Sequence, residues 1–299
     1  DPDWSRGLGD VYKRQPRIMW SKRRDELIVF KMNRLQNKLE LLSGTFSMDT
    51  PNNIGIKTKP IYTEKCTTYI DIHDNTSFIN ENEFIWTSEK DGYNHIYLIN
   101  YANGTEKQLT SGDWDVTEVY GYTSQSKKIF FQAAKSHPTK REIYALYTKN
   151  NKIELLTEKS GTNEANFSKT FNYFINTHSS ADTPFEITLH NQKGKLVKTL
   201  EKNEVLKNKL LEFNLTNKEF FTIPNEEGIL LNAWMIKPKL LDTLKKHPLL
   251  MFVYGGPGIN TVNDAWSWNN YFWFQYLAQN GFIVVSVDAR GRGYIGKDF

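Results

Sequence analysis

The chain has 299 residues, enough for about two domains. Hydrophobic residues make up 39%, aromatics 14% and charged residues 24%, which is a globular rather than a disordered composition. A formal charge of +4 from 38 basic and 34 acidic residues, with no long run of like charge, calls for neither nucleic acid nor a membrane surface. The single cysteine, Cys66, excludes an internal disulfide framework and a cysteine-based metal site. No stretch approaches the roughly 20 apolar residues that span a bilayer. Asn-x-Ser/Thr acceptors at Asn75, Asn103, Asn166 and Asn214 matter only in a glycosylating host.

The opening residues 1–15, DPDWSRGLGDVYKRQ, carry neither a strand nor a helix period and are read as a non-native leader. From Pro16 the chain becomes regular. PRIMW, LIVF and NKLELL have the character of strands, followed by what reads as a polar insertion from Ser43 to Lys65. Three apolar triplets then begin at Phe84, Ile129 and Tyr173, 45 and 44 residues apart. A second strand set around Ile96, Ile143 and Ile187 recurs at 47 and 44 residues, and a third, EKQLT, IELLT and LVKTL, keeps step. Strand groups recurring about every 40 to 50 residues, with polar turns between them, predict the blades of a β-propeller. About four blades are visible. An all-β sandwich with accidental spacing is the bland alternative, and four blades fit either a small closed propeller or the later part of a larger one.

After Leu200 the period changes. NEVLKNKLLEF puts Val205, Leu206, Leu210 and Phe213 at helical spacing, predicting an amphipathic helix. FFTI and ILLNAWMIKP follow as strands, and LLMFVY reads as a buried strand. WSWNNYFWFQYLAQN is predicted to be a helix ending at Gly281, and FIVVSV a second buried strand running into DARGRG. Strand, helix and strand in this order are the start of an α/β domain. The expected organisation is a leader over 1–15, a β-propeller region over 16–200, and over 201–299 a linker helix with the first part of an α/β domain.

The segment richest in chemistry is VYGGPG, Val253 to Gly258, at the carboxyl end of LLMFVY. Glycines there let backbone N–H groups approach a substrate, and in α/β-hydrolases this loop forms one side of the oxyanion hole. Tyr254 is the candidate functional side chain; by itself a tyrosine at a strand end is more often a packed aromatic with a wet hydroxyl. DARGRG, Asp288 to Gly293, lacks the features of a phosphate loop and reads as a tight turn. Glu226 and Glu227 are adjacent, so on a strand they would face opposite ways; they read as a solvated turn. His73, His95, His137, His178, His190 and His247 lack metal-ligand spacing, and no metal or cofactor is expected. No G-x-S-x-G occurs, so the Ser, Asp and His of a hydrolase triad are absent from this sequence.

Taken together and in order, PRIMW, NRLQNKLELL, FIWTSEKDGYNHIYL, GDWDVTEVYG, FSKTFNYFINT, MFVYGGPG and FIVVSVDARGRG resemble the dipeptidyl peptidase IV branch of the prolyl oligopeptidase family of serine peptidases, bacterial type, over Pro16 to Phe299. The resemblance implies an eight-bladed propeller capping an α/β-hydrolase domain, of which this chain would hold the later blades and the hydrolase start. It implies a parent that releases N-terminal dipeptides from peptides with penultimate Pro or Ala, a periplasmic, cell-envelope or secreted location, and a homodimeric parent. Tyr254 matches the family tyrosine that donates to the oxyanion, a donor worth about 3 to 4 kcal/mol in the transition state. The family's substrate-binding glutamate pair lies upstream of PRIMW and its triad downstream of Phe299, so neither maps onto this sequence and the chain alone is expected to be inactive. Two other readings stay open: a propeller-based binding protein with a non-catalytic hydrolase appendage, and a related prolyl endopeptidase or acylaminoacyl peptidase.

Overall fold

A computed structural model describes residues 17–50, 53–267 and 269–299. The leader assigned to 1–15 lies outside the described residues. The chain forms two compact units, one of residues up to Thr87 with Ile96–Gln108, the other of Ser88–His95 with Leu109–Phe299.

The first unit is built on two antiparallel meanders. Strands β1 (Arg17–Trp20), β2 (Glu26–Met32), β3 (Lys38–Thr50) and β4 (Asn53–Lys65) pair in chain order, as do β5 (Ser77–Phe78), β6 (Glu83–Ser88), β7 (His95–Asn100) and β8 (Thr105–Gln108). The segment expected to be a polar insertion is instead the longest hairpin among the described residues, with β3 and β4 paired from Lys38↔Lys65 to Thr50↔Asn53 through two register shifts. In the outer strand β4, Ile54, Ile56 and Thr58 are separated by single glycine or lysine residues, which suits an edge strand. Pro60, which cannot donate to a ladder, sits beside a register shift on the edge strand. Ile28, Leu41, Phe84 and Trp86 are almost wholly buried in this unit's core, each contributing about 1.5–3 kcal/mol by leaving water. Beside that core Glu26 is buried, yet accepts from Ser21 Oγ (2.6 Å), Ser43 Oγ (2.6 Å) and Tyr101 Oη (3.0 Å). Burial alone would raise its carboxyl pKa; these donors and Arg23 outweigh it and hold the group below the usual range.

The second unit carries two further meanders, β9 (Val116–Thr123) to β12 (Ile153–Leu155) through β10 (Lys128–Ala133) and β11 (Glu142–Tyr147), and β13 (Thr162–Phe167) to β16 (Leu196–Glu201) through β14 (Tyr173–Ser180) and β15 (Thr183–Asn191). All nine repeat segments read from the sequence thus fall on strands, each triplet on the second strand of its sheet. Strands β10 and β11 are buried nearly throughout, which explains why they read as continuous apolar runs rather than alternating ones. Phe130, Ile143, Leu156 and Phe174 form one core with the partly buried Phe167 and Phe171. Phe130 and Phe171 stack with ring centroids 5.5 Å apart.

Helix α1 (Glu204–Leu211) forms where expected, but its apolar stripe is not a buried face. None of its residues is buried, and Val205 and Leu211 are 87% and 83% exposed. Polar contacts hold it: Asn203 Nδ2 donates to Phe185 O (2.5 Å) and Lys207 Nζ to Glu186 Oε1 (2.5 Å).

A mixed sheet follows, of β17 (Glu219–Pro224), β18 (Leu230–Ile236), β19 (Leu249–Met251) and β20 (Ile283–Val287), in the order β17-β18-β20-β19. Strand β20 is antiparallel to β18 and parallel to β19, and α2 (Asn269–Gln279) makes the crossover between the parallel pair. Trp234, Ile236, Val262, Phe274, Leu277 and Val284 form its core. The buried-strand reading holds for β20, whose Val284, Val285 and Ser286 are buried. It fails for LLMFVY: β19 is three residues long at the sheet edge, and Leu249, Met251 and Val253 are each more than half exposed. Asp264 joins this part to the preceding sheets, donating from its N–H to Thr139 O (2.8 Å) while its Oδ1 accepts from Ala181 N (2.9 Å). No helix among the described residues is long and apolar enough to cross a membrane.

Candidate active site

The chain leaves β19 through Phe252, whose N–H still donates to Val285 O (2.8 Å), and then turns away from the sheet at Val253 and Tyr254. Tyr254 is 42% exposed at the carboxyl end of a parallel strand, where open α/β sheets place ligands. A side-chain carbon on Gly256 would lie 3.1 Å from the Tyr254 ring, so glycine there lets the ring pack onto the loop backbone. Gly258 has φ +79, a left-handed conformation that glycine adopts without steric cost, and its N–H donates to Gly291 O (3.0 Å).

The loop is fixed by the turn that follows β20. Asp288 is 1% exposed and takes four donors: Thr261 N (2.8 Å) and Thr261 Oγ1 (2.9 Å) on Oδ1, Asn260 Nδ2 (3.1 Å) and Val262 N (3.2 Å) on Oδ2. A carboxylate receiving this many donors is a charge-assisted clamp. Arg292, also buried, donates through Nη1 to Gly256 O and to Ile259 O (2.6 Å), and its guanidinium carbon lies 5.2 Å from the Tyr254 ring centroid. DARGRG is therefore a turn, as read, but one whose polar side chains are built into the tyrosine loop. Sequence reasoning missed Asp288 and Arg292; the available signal was a charged residue at each end of a glycine turn beside a second glycine loop.

The same turn is anchored at its far end. Gly296 N donates to Asp115 Oδ2 (3.1 Å), Lys297 N to Gly92 O (2.9 Å), and the Arg141 guanidinium lies 3.7 Å from the ring centroid of Tyr294, which itself has φ +75. Burial pushes the Asp115 carboxyl up and the Arg141 guanidinium down from their ordinary ranges. Beneath the mixed sheet, Lys218 is buried against the Trp234 ring (4.8 Å) and donates to Ser267 Oγ (3.0 Å). Burial brings its ammonium down to about 8, against the pull of Asp182 and Asp264.

The remaining candidates are not drawn to Tyr254. Glu226 and Glu227 lie exposed in the turn between β17 and β18, and Glu227 pairs with Arg290 at 2.7 Å. Each histidine has a local partner, such as Thr87 O for His73 (2.8 Å), Gly112 O for His95 (2.9 Å) and Ser160 O for His178 (2.8 Å). His137 meets Thr139 Oγ1 (2.8 Å), His190 Gly194 O (2.9 Å) and His247 Asp242 O (2.9 Å). Among the described residues no group of three or more His, Cys, Asp or Glu could hold a metal ion. What the geometry offers is a phenolic donor on a braced loop at the end of a parallel strand.

Residues 12–185 match the model of a family described as the dipeptidyl peptidase IV N-terminal region. The crystal structure of Porphyromonas gingivalis dipeptidyl peptidase 4 superposes with a TM-score of 0.86 at 36% identity, covering 94% of this chain and 39% of that one. Dipeptidyl peptidase 4 of Trichophyton equinum is 32% identical and that of Trichophyton rubrum 31%, each over 222 residues, or 72% of this chain. The chain spans 28% of the length of these two fungal relatives.

Proposed function

Because the chain belongs to the dipeptidyl peptidase IV family, as the match of its residues 12–185 to that family's N-terminal region establishes, we propose that it supplies the later propeller blades and the oxyanion tyrosine of a serine exopeptidase. The substrates are peptides with Pro or Ala in the penultimate position, released as N-terminal dipeptides by acyl transfer. On this reading the mixed sheet after α1 is the opening of an α/β-hydrolase domain. The serine, aspartate and histidine come from sequence beyond these 299 residues, and the serine attacks the carbonyl while the histidine moves its proton. Tyr254 donates its hydroxyl to the oxygen that becomes negative. That donation is stronger in the transition state than in the ground state, which is why it accelerates the reaction.

The observation that carries this reading is the placement of Tyr254: half exposed, at the carboxyl end of β19, on a glycine loop braced by Asp288 and Arg292. The test has two arms. The 299-residue chain should release no product from Gly-Pro or Ala-Pro amides, and in the full-length parent Tyr254→Phe should lower kcat about a hundredfold or more with little change in KM. Near-full kcat in the variant would reduce Tyr254 to a packed aromatic. Turnover by the short chain that a serine-directed inhibitor abolishes would refute the placement of the nucleophile elsewhere. A periplasmic, cell-envelope or secreted location and a homodimeric parent belong to the same proposal; fractionation and size-exclusion chromatography of the full-length protein test them.

A further inference from the structure

We propose that Arg292 is a positioning residue for the oxyanion donor: its guanidinium holds the Tyr254 loop at the height and angle the reaction needs. The inference rests on the reading of Tyr254 as that donor. A single nitrogen of Arg292 bonds two carbonyls three residues apart, Gly256 O and Ile259 O, and so closes the glycine loop from within. Its guanidinium carbon also lies 5.2 Å from the Tyr254 ring centroid, within the range of a cation–π contact. Carbonyls capped by a cation cannot swing toward the substrate, which matters in a loop whose purpose is to present donors. Four glycine and proline residues in succession, Gly255 to Gly258, would otherwise have wide freedom.

Arg292 is itself fixed. It is 6% exposed, and the turn that carries it is clamped at one end by the four donors on Asp288. At the other end the turn is held by Gly296 on Asp115 and by Tyr294 under Arg141. A rigid platform therefore stands behind a loop that has little rigidity of its own, the arrangement in which a supporting residue sets the precision of a site. Lysine would not replace it, since an ammonium is a compact, strongly hydrated point charge without the planar, delocalised guanidinium.

The experiment is a double-mutant cycle in the full-length parent with Tyr254→Phe and Arg292→Met, reading kcat and KM on a Gly-Pro amide. Displacing a reacting group by about 1 Å costs on the order of a hundredfold, so Arg292→Met alone should lose ten- to a hundredfold in kcat with KM within about twofold. In the Tyr254→Phe background it should lose less than about threefold, because the group it positions is already gone. If Tyr254→Phe is slow and Arg292→Met is not, the Arg292 inference is wrong and the Tyr254 reading stands. Independent, multiplying losses also overturn it, since Arg292 would then act elsewhere. Near-full kcat in Tyr254→Phe removes both. Should Arg292→Met fail to fold, Arg292→Lys is read in its place, with a tenfold or larger loss in kcat expected and wild-type kcat refuting the proposal.

Discussion

Replacing Asp288 by asparagine changes one atom at the point where the tyrosine loop meets the sheet. The carboxylate takes two donors on each oxygen, at 2.8 and 2.9 Å on one and at 3.1 and 3.2 Å on the other, and the site is closed to water. An amide in the same place turns one oxygen into an NH2 group, so in either orientation two of the four donors face another donor. Each lost bond to a charged acceptor is worth about 1.5–3 kcal/mol, and relaxation recovers part of the two. The net cost should be about 3 kcal/mol, confined to the loop because the backbone N–H of Asp288 still bonds Asn232 O (2.9 Å) at the end of β20. Hydrogen exchange of the 299-residue chain reads this directly. The amides of Thr261 and Val262 should exchange about a hundredfold faster, since 1.4 kcal/mol is a factor of ten, while those of β20 keep their protection. Unchanged protection at both loop amides would show that Asp288 does not brace the loop.

Two further predictions concern stability. Lys218, with a folded pKa of about 8 against 10.5 for an ordinary lysine, binds its proton less readily when folded, so its burial costs stability below pH 8 and the cost is relieved as pH rises from 8 to 10.5. At about 1.4 kcal/mol per unit this is about 3 kcal/mol; denaturation midpoints of wild type and Lys218→Met should converge or cross over that window, and a constant difference from pH 7 to 10 would contradict it. Gly161 has φ +120, and a side-chain carbon there would lie 2.4 Å from Ser179 O, so Gly161→Ala should cost about 2 kcal/mol or more in a urea melt; a cost below half a kcal/mol would mean the turn between β12 and β13 adapts.

The blades were legible because their signal is redundant. Three of the four strands in each repeat show in the sequence, and the two that follow FIW, IFF and YFI keep step with them, so one misread strand could not disturb the period. Where one local cue stood alone, it misled. Ser43 to Lys65 looked like an insertion because an edge hairpin lacks the apolar run of a buried strand. LLMFVY looked buried because hydropathy does not show which strand ends at a sheet edge. Val205, Leu206 and Leu210 had helical spacing, yet none of the helix's residues is buried. The site divided in the same way. Tyr254 was singled out as a candidate by its glycine loop, which is a local pattern, whereas Asp288 and Arg292 act on residues 26 to 36 positions earlier and only the fold brings them there.

The manner in which α1 is held has a consequence for how the chain responds to its solvent. Without a buried side chain, the helix rests on Asn203 and on Lys207 paired with Glu186, to which exposed Lys159 also binds. An attachment made of partly exposed ion pairs weakens as salt rises, since the screening length falls from about 10 Å at 0.1 M to about 3 Å at 1 M, whereas apolar cores do not weaken in this way. The stretch between the fourth meander and the mixed sheet is thus the place where ionic strength acts first. Trypsin, which cuts after Lys202, Lys207 or Lys209 once the helix frays, would reveal this by cleaving faster in high salt than in low.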